Sequence, residues 1–127
     1  MNPKTKALQE RTHRFFIRVL SLCERLPNTD AAKSIGPQLI DSAGSTDSNY
    51  RAACRGRSKR EFIAKLGLAT EEADEAKGWL NALVARGLGD VAEARVLLKE
   101  ADELISIFVK SQITAKRSPE RNGRLRR

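Results

Sequence analysis

From Leu8 to Thr114 the apolar residues return every three or four positions, and nowhere do they settle into the two-residue alternation of a strand. A chain patterned this way folds as helices that bury one stripe each. Pro27 closes a first segment, Thr5 to Leu26, carried by Leu8, Phe15, Val19, Leu22 and Leu26. A second segment begins near Asp30 and is carried by Ile35, Leu39, Ala43, Thr46, Tyr50 and Ala53. Pro37 fits it only in or near the first turn, because a proline further in removes a hydrogen bond and crowds the preceding turn. The middle of this segment, DSAGSTDSN from Asp41 to Asn49, is poor in helix formers. Propensity alone predicts a break around Gly44, whereas the persistent rhythm favours one helix.

The other two segments announce their own starts. Ser58 with Glu61 reads as a capping box, the serine covering a free backbone N–H while the glutamate reaches back, so a third helix starts at Lys59. Its seam is Phe62, Leu66, Ala69, Ala73, Ala76, Leu80 and Leu83, and it ends at Gly87. Three alanines at the centre of that seam let a neighbouring helix come close. Asp90 with Glu93 repeats the capping pattern and opens a fourth helix on Ala94, Leu97, Leu98, Ala101, Leu104, Ile105 and Phe108. After Thr114 the stretch AKRSPERNGRLRR loses periodicity and is dominated by arginine. The fold expected is all-α: an up-down-up-down four-helix bundle over residues 1–115, followed by a disordered basic tail over 116–127. At 127 residues there is no room for a second domain.

Three helices carry apolar side chains outside their seams. Phe16, Ile17 and Leu20 widen the first stripe, Leu68 and Trp79 lie off the third, and Val96 and Ile107 lie opposite the fourth. Scattered apolar residues are normal on a monomer, but sets on three helices point to a homo-oligomer that covers them.

Lysine and arginine total 24 against 16 acidic residues, a net charge of +8, which favours polyanionic partners, nucleic acid before acidic proteins or anionic lipid. The cations gather in three places. Arg51, Arg55, Arg57, Lys59 and Arg60 surround the junction of the second and third helices. Arg51 and Arg55 suit the C-terminal end of a helix dipole; Lys59 and Arg60 oppose the dipole at the next N-terminus, where a bound phosphate would relieve them. An anion-binding corner and a solvated turn both fit this pattern. On the first helix Lys4, Arg11, Arg18 and Arg25 recur every seven residues with Arg14 between them, either as snorkelling side chains over apolar surface or as a stripe that tracks phosphates. The tail adds Lys116, Arg117, Arg121, Arg124, Arg126 and Arg127. Tyr50 and Trp79 are not interleaved with these arginines, so recognition by charge or shape is expected over base stacking.

Catalytic chemistry finds little to use. Glu10 and His13 form one Glu-x-x-His pair, half of a di-iron bundle's ligand set, but His13 is the single histidine, and both residues are read as turned away from the core. The carboxylates from Glu71 to Glu75 form an outer face, and no phosphate loop, nucleophile–base pair or cofactor motif appears. No cofactor or metal is expected. Cys23 and Cys54 have no ligand spacing and read as reduced, buried small side chains. The charged N-terminal stretch lacks the apolar core of a signal peptide, and no run reaches the ~20 apolar residues of a membrane span, so a cytoplasmic protein without membrane contact is expected.

The run from Gln38 to Leu83 also carries a family resemblance. Gln38, Leu39, Ser42 and Ala43, then Asn49, then RGRSKREFI from Arg55 to Ile63, then EEADEAKGWL from Glu71 to Leu80, follow in an order and spacing that resembles bacterial four-helix-bundle proteins first named from intervening sequences in large-subunit ribosomal RNA genes. GSTDSN at Gly44 to Asn49, where many relatives are more apolar, and the arginine-rich tail depart from that pattern. The resemblance implies one bundle, commonly assembled as a ring of five, without established enzymatic activity. Accessory proteins of diversity-generating retroelements resemble the same family; they are basic pentameric barrels that partner a reverse transcriptase and bind nucleic acid. Two functions follow as expectations: a non-catalytic oligomer that binds RNA or DNA as an accessory to a nucleic-acid enzyme, or a protein-interaction scaffold that meets an acidic partner.

Overall fold

The computed structural model describes residues 1–119; Arg121, Arg124, Arg126 and Arg127 lie outside the described residues. These residues form four helices: α1 (Pro3–Glu24), α2 (Asp30–Cys54), α3 (Lys59–Arg86) and α4 (Val91–Arg117). Each start is set by a side chain that accepts one of the free N–H groups of the first turn. Asn2 Oδ1 takes Lys4 N–H at 2.7 Å, and Pro3 supplies a preset φ at the first position. Thr29 takes Ala32 N–H at 3.2 Å, Ser58 takes Glu61 N–H at 3.1 Å and Asp90 takes Glu93 N–H at 3.0 Å. The two caps expected at Ser58 and Asp90 are therefore in place.

The second helix crosses DSAGSTDSN unbroken because its polar side chains satisfy themselves against their own backbone. Thr46 Oγ1 donates to the Ser42 carbonyl at 2.8 Å, Ser42 Oγ to Leu39 at 3.1 Å, and Asn49 Nδ2 to Ser45 at 2.9 Å. Gly44 keeps α2 narrow where Phe16 of α1 lies on it; a Cβ there would stand 3.2 Å from the ring. Phe16 thus packs within its own chain, which corrects its assignment to an outer apolar set. Pro37 is a second correction, since it sits two turns inside α2 rather than in the first. Pro37 and Lys33, whose carbonyl loses its usual donor, are both exposed, so water can take the place of the missing bond.

The fourth helix outlasts its expected end at 115. Ala115 is still buried, Lys116 and Arg117 complete the last turn where cations suit the dipole, and Lys59 donates its ammonium to the carbonyls of Lys116, at 3.2 Å, and of Ser118.

Each helix packs on its sequence neighbours, and α1 closes the ring against α4, while α1 and α3, and α2 and α4, face each other diagonally. That is the up-down-up-down bundle. Its core is built from Phe15, Val19 and Leu22 of α1, Leu39, Ala43, Tyr50 and Ala53 of α2, Leu66 through Leu83 of α3, and Ala94 through Phe108 of α4. Tyr50 and Phe108 stack across the diagonal with ring centroids 5.2 Å apart. Ala69, Ala73 and Ala76 are fully buried and set the close approach of α3 to both α2 and α4. At one end the two loops meet: Gly89 has φ 71°, and a Cβ on it would come within 2.9 Å of Leu26. No helix among the described residues is long and apolar enough to cross a membrane.

Because the α3 seam is filled at alanine volume, Ala73→Leu is expected to destabilise the fold by about 1–3 kcal/mol through overpacking, read as a lower urea midpoint at unchanged slope.

Candidate nucleic-acid interface

Up-down-up-down connectivity brings the N-terminal ends of α1 and α3 to the same end of the bundle as the C-terminal ends of α2 and α4. Lys4 and Lys6, Arg51 and Arg55, Arg57 through Lys65, and Lys110 through Arg117 therefore converge on one end, although they are dispersed along the sequence. The bond from Lys59 to the carbonyls of Lys116 and Ser118 shows the α2–α3 corner seated against the end of α4. Lys59 is engaged there as a helix cap. Arg55, Arg57 and Arg60 are exposed and make no ion pair among the described residues, and Arg117 and Arg14 are likewise exposed.

The seven-residue stripe on α1 has a different fate. Arg11 donates Nε and Nη2 to Glu100 of α4, each at 2.7 Å, and reaches Glu103 at 2.8 Å. Arg18 grips Glu93 with the same fork, at 2.9 and 2.7 Å, and Arg25 lies 3.3 Å from Asp90. The hydrogen bonds to Glu100 and Glu93 raise the pKa of both guanidinium groups against the opposing effect of burial. So Arg11 and Arg18 do not face outward as a phosphate stripe; they form a ladder that fastens α1 to α4 where the two backbones approach over the shortest stretch. The sequence signal was available, since Glu93 and Glu100 carry the same seven-residue spacing as Arg11 and Arg18 on a helix that runs the other way.

His13 is the second residue whose surroundings differ from expectation. It is half-exposed, yet its Nδ1 lies 2.8 Å from Oδ2 of Asp47, a carboxylate only 2% exposed inside α2. Arg51 Nη2 approaches the same oxygen at 3.7 Å. Asp47 was missed although it stands between Ala43 and Tyr50 on the core side of α2, where a buried acid requires a partner. Glu10 is exposed, and among the described residues no three potential ligand side chains gather to hold a metal. Cys23 and Cys54 are half-buried rather than fully enclosed; burial pushes the Cys23 thiol up to about 11.

Comparison with known proteins adds the lineage. The family described as "23S rRNA-intervening sequence protein" matches residues 4–110. The chain belongs to this family. Among solved structures, a protein of unknown function from the S23 ribosomal protein family of Bacteroides thetaiotaomicron is similar, with a TM-score of 0.76 at 23% identity over 83% of this chain and 97% of the other. That likeness shows the fold. No curated protein matches the sequence. For an intervening-sequence family member the outer apolar residues then matter. Ile17, Leu68 and Val96 are exposed, and so are Val109 and Ile113, which the sequence did not single out. Leu20, Trp79 and Ile107 are partly buried, Trp79 against its own core and within 3.4 Å of Glu75 through its indole N–H.

If the ladder serves the fold, the double change Arg11→Ala/Arg18→Ala should cost about 1 kcal/mol or less per pair and lower the melting temperature most at low salt.

Proposed function

We propose that this protein is a non-catalytic, homo-oligomeric bundle that holds nucleic acid by its phosphate backbone at the basic end. The observation that supports it is the division of the positive charge: Arg11 and Arg18 of α1 are paired with α4 acids, whereas Arg55, Arg57 and Arg60 stand exposed on a corner beside the cationic end of α4. Backbone phosphates are the polyanion that such a sequence-blind cluster suits, and the half-buried or buried state of Phe62, Tyr50 and Trp79 disfavours base stacking. The family's description, which names an intervening sequence of 23S rRNA, is consistent with a protein that works beside RNA.

A triple Arg55→Ala/Arg57→Ala/Arg60→Ala protein is expected to keep its helicity and lose about 2–3 from the slope of log affinity against log salt, measured by fluorescence anisotropy on a duplex, because each phosphate contact contributes about 0.9. Parent-like binding would make the corner a solvated turn. Absence of binding by the parent would favour the scaffold reading with an acidic protein partner.

Self-association rests on Ile17, Leu68 and Val96, which lie exposed on three different helices. Val96→Glu is the cleaner probe than a change at Trp79, because Trp79 also packs within its own chain. Sedimentation equilibrium should give an oligomer for the parent, with five subunits expected from the family resemblance, and a smaller species for Val96→Glu.

A further inference from the structure

Asp47 is an expensive residue for a helix core. Its side chain is 2% exposed, Oδ2 is hydrogen-bonded by His13 at 2.8 Å and approached by the Arg51 guanidinium at 3.7 Å, and Oδ1 is buried without a hydrogen-bond partner. A carboxylate retained only for stability would spend both oxygens, since a half-satisfied buried acid is worse than an apolar side chain of similar size. What this one does is bring two cationic groups from two helices to a single atom, His13 by a hydrogen bond and Arg51 by charge. Their side chains are 51% and 48% exposed, so each keeps hydrogen-bonding capacity on the solvent side. With Nδ1 bonded to Asp47, the Nε2 of His13 is left for other partners, on a ring that shares its carboxylate oxygen with Arg51. Arg55 continues the row one helical turn further, at the basic corner.

We propose that His13 and Arg51 form a phosphate-binding pair on the α1–α2 flank of the basic end, with Asp47 as the buried residue that positions them. The inference rests on the nucleic-acid reading above. A buried carboxylate that hydrogen-bonds an imidazole and attracts a guanidinium to the same oxygen sets two donors near one another, which suits two oxygens of one phosphodiester. Donation from Nε2 requires the imidazolium, so binding takes up a proton. The charged groups around the imidazole are Glu10, one turn away on α1, and Asp47 and Arg51 on α2. Because that donation takes up a proton, affinity should be higher at pH 6 than at pH 8.

The decisive variant is Asp47→Asn. Removing a negative charge near a polyanion should tighten binding if Asp47 merely repels the phosphate, whereas replacing the charge-assisted acceptor by a neutral amide oxygen should weaken binding if it holds the two donors in place. Anisotropy titrations on mixed-sequence DNA and RNA duplexes, at pH 6 and pH 8, would be run on the parent, Asp47→Asn, His13→Gln and the double variant, with helicity checked by circular dichroism. The proposal expects each single change to weaken binding about tenfold at pH 6, the double change to add little, and the pH dependence to vanish with His13→Gln. Equal or tighter binding by folded Asp47→Asn, or a pH profile unmoved by His13→Gln, would overturn it. If Asp47→Asn fails to fold, His13→Gln alone decides through its pH profile. The triple corner variant separates the two levels: if it binds less tightly than the parent while Asp47→Asn and His13→Gln do not, the nucleic-acid reading stands and the phosphate pair falls.

Discussion

The close contact along the alanine face of α3 governs the architecture. With Ala69, Ala73 and Ala76 fully buried, α2 and α4 settle against α3 at short range, and their large side chains, Tyr50 and Phe108, meet over the gap that the small ones leave. Packing of this kind fixes three helices tightly and leaves the fourth to find its place on the remaining edge. Helix α1 does so with unlike tools on its two sides: Phe16 against Gly44 on α2, and forked arginine–glutamate pairs on α4. Partly exposed ion pairs add little energy, but their geometry is directional and admits one register.

That arrangement also sorts the charge. Among the described residues the acids of α4 lie opposite Arg11 and Arg18 of α1, while Arg55, Arg57 and Arg60 stand exposed at the end where α2 turns into α3. Two helix C-terminal ends open there, and their carbonyls favour the lysines and arginines that collect around them. The basic end is thus partly a by-product of capping.

Helix count, order and starts were legible in the sequence because periodicity and caps are local. Ser58 and Asp90 cap where their spacing to Glu61 and Glu93 says they should. Pro37 was misplaced because the rule against interior proline assumes that the freed carbonyl is buried, and here it lies on the solvent side. Arg11, Arg18 and His13 were read as outward because helical angles locate a residue on its own helix but not the partner across the interface. Only the antiparallel register of α1 with α4, and of α1 with α2, supplies Glu100, Glu93 and Asp47. The off-seam set divided for the same reason: Phe16 found Gly44, whereas Ile17, Leu68 and Val96 stayed exposed.

An even number of alternating helices returns the polypeptide to the side on which it began. Pro3 and Arg117 both lie at the basic end, while the α1–α2 and α3–α4 loops close the opposite one, with Leu26 against Gly89. Anything fused before Pro3 or after Ser118 therefore emerges beside the cationic corner and shades it, a polyhistidine or acidic solubility tag included. A circular permutant that links Pro3 to Ser118 and opens the chain between Arg86 and Val91 would carry its tag at the far end and leave the corner clear.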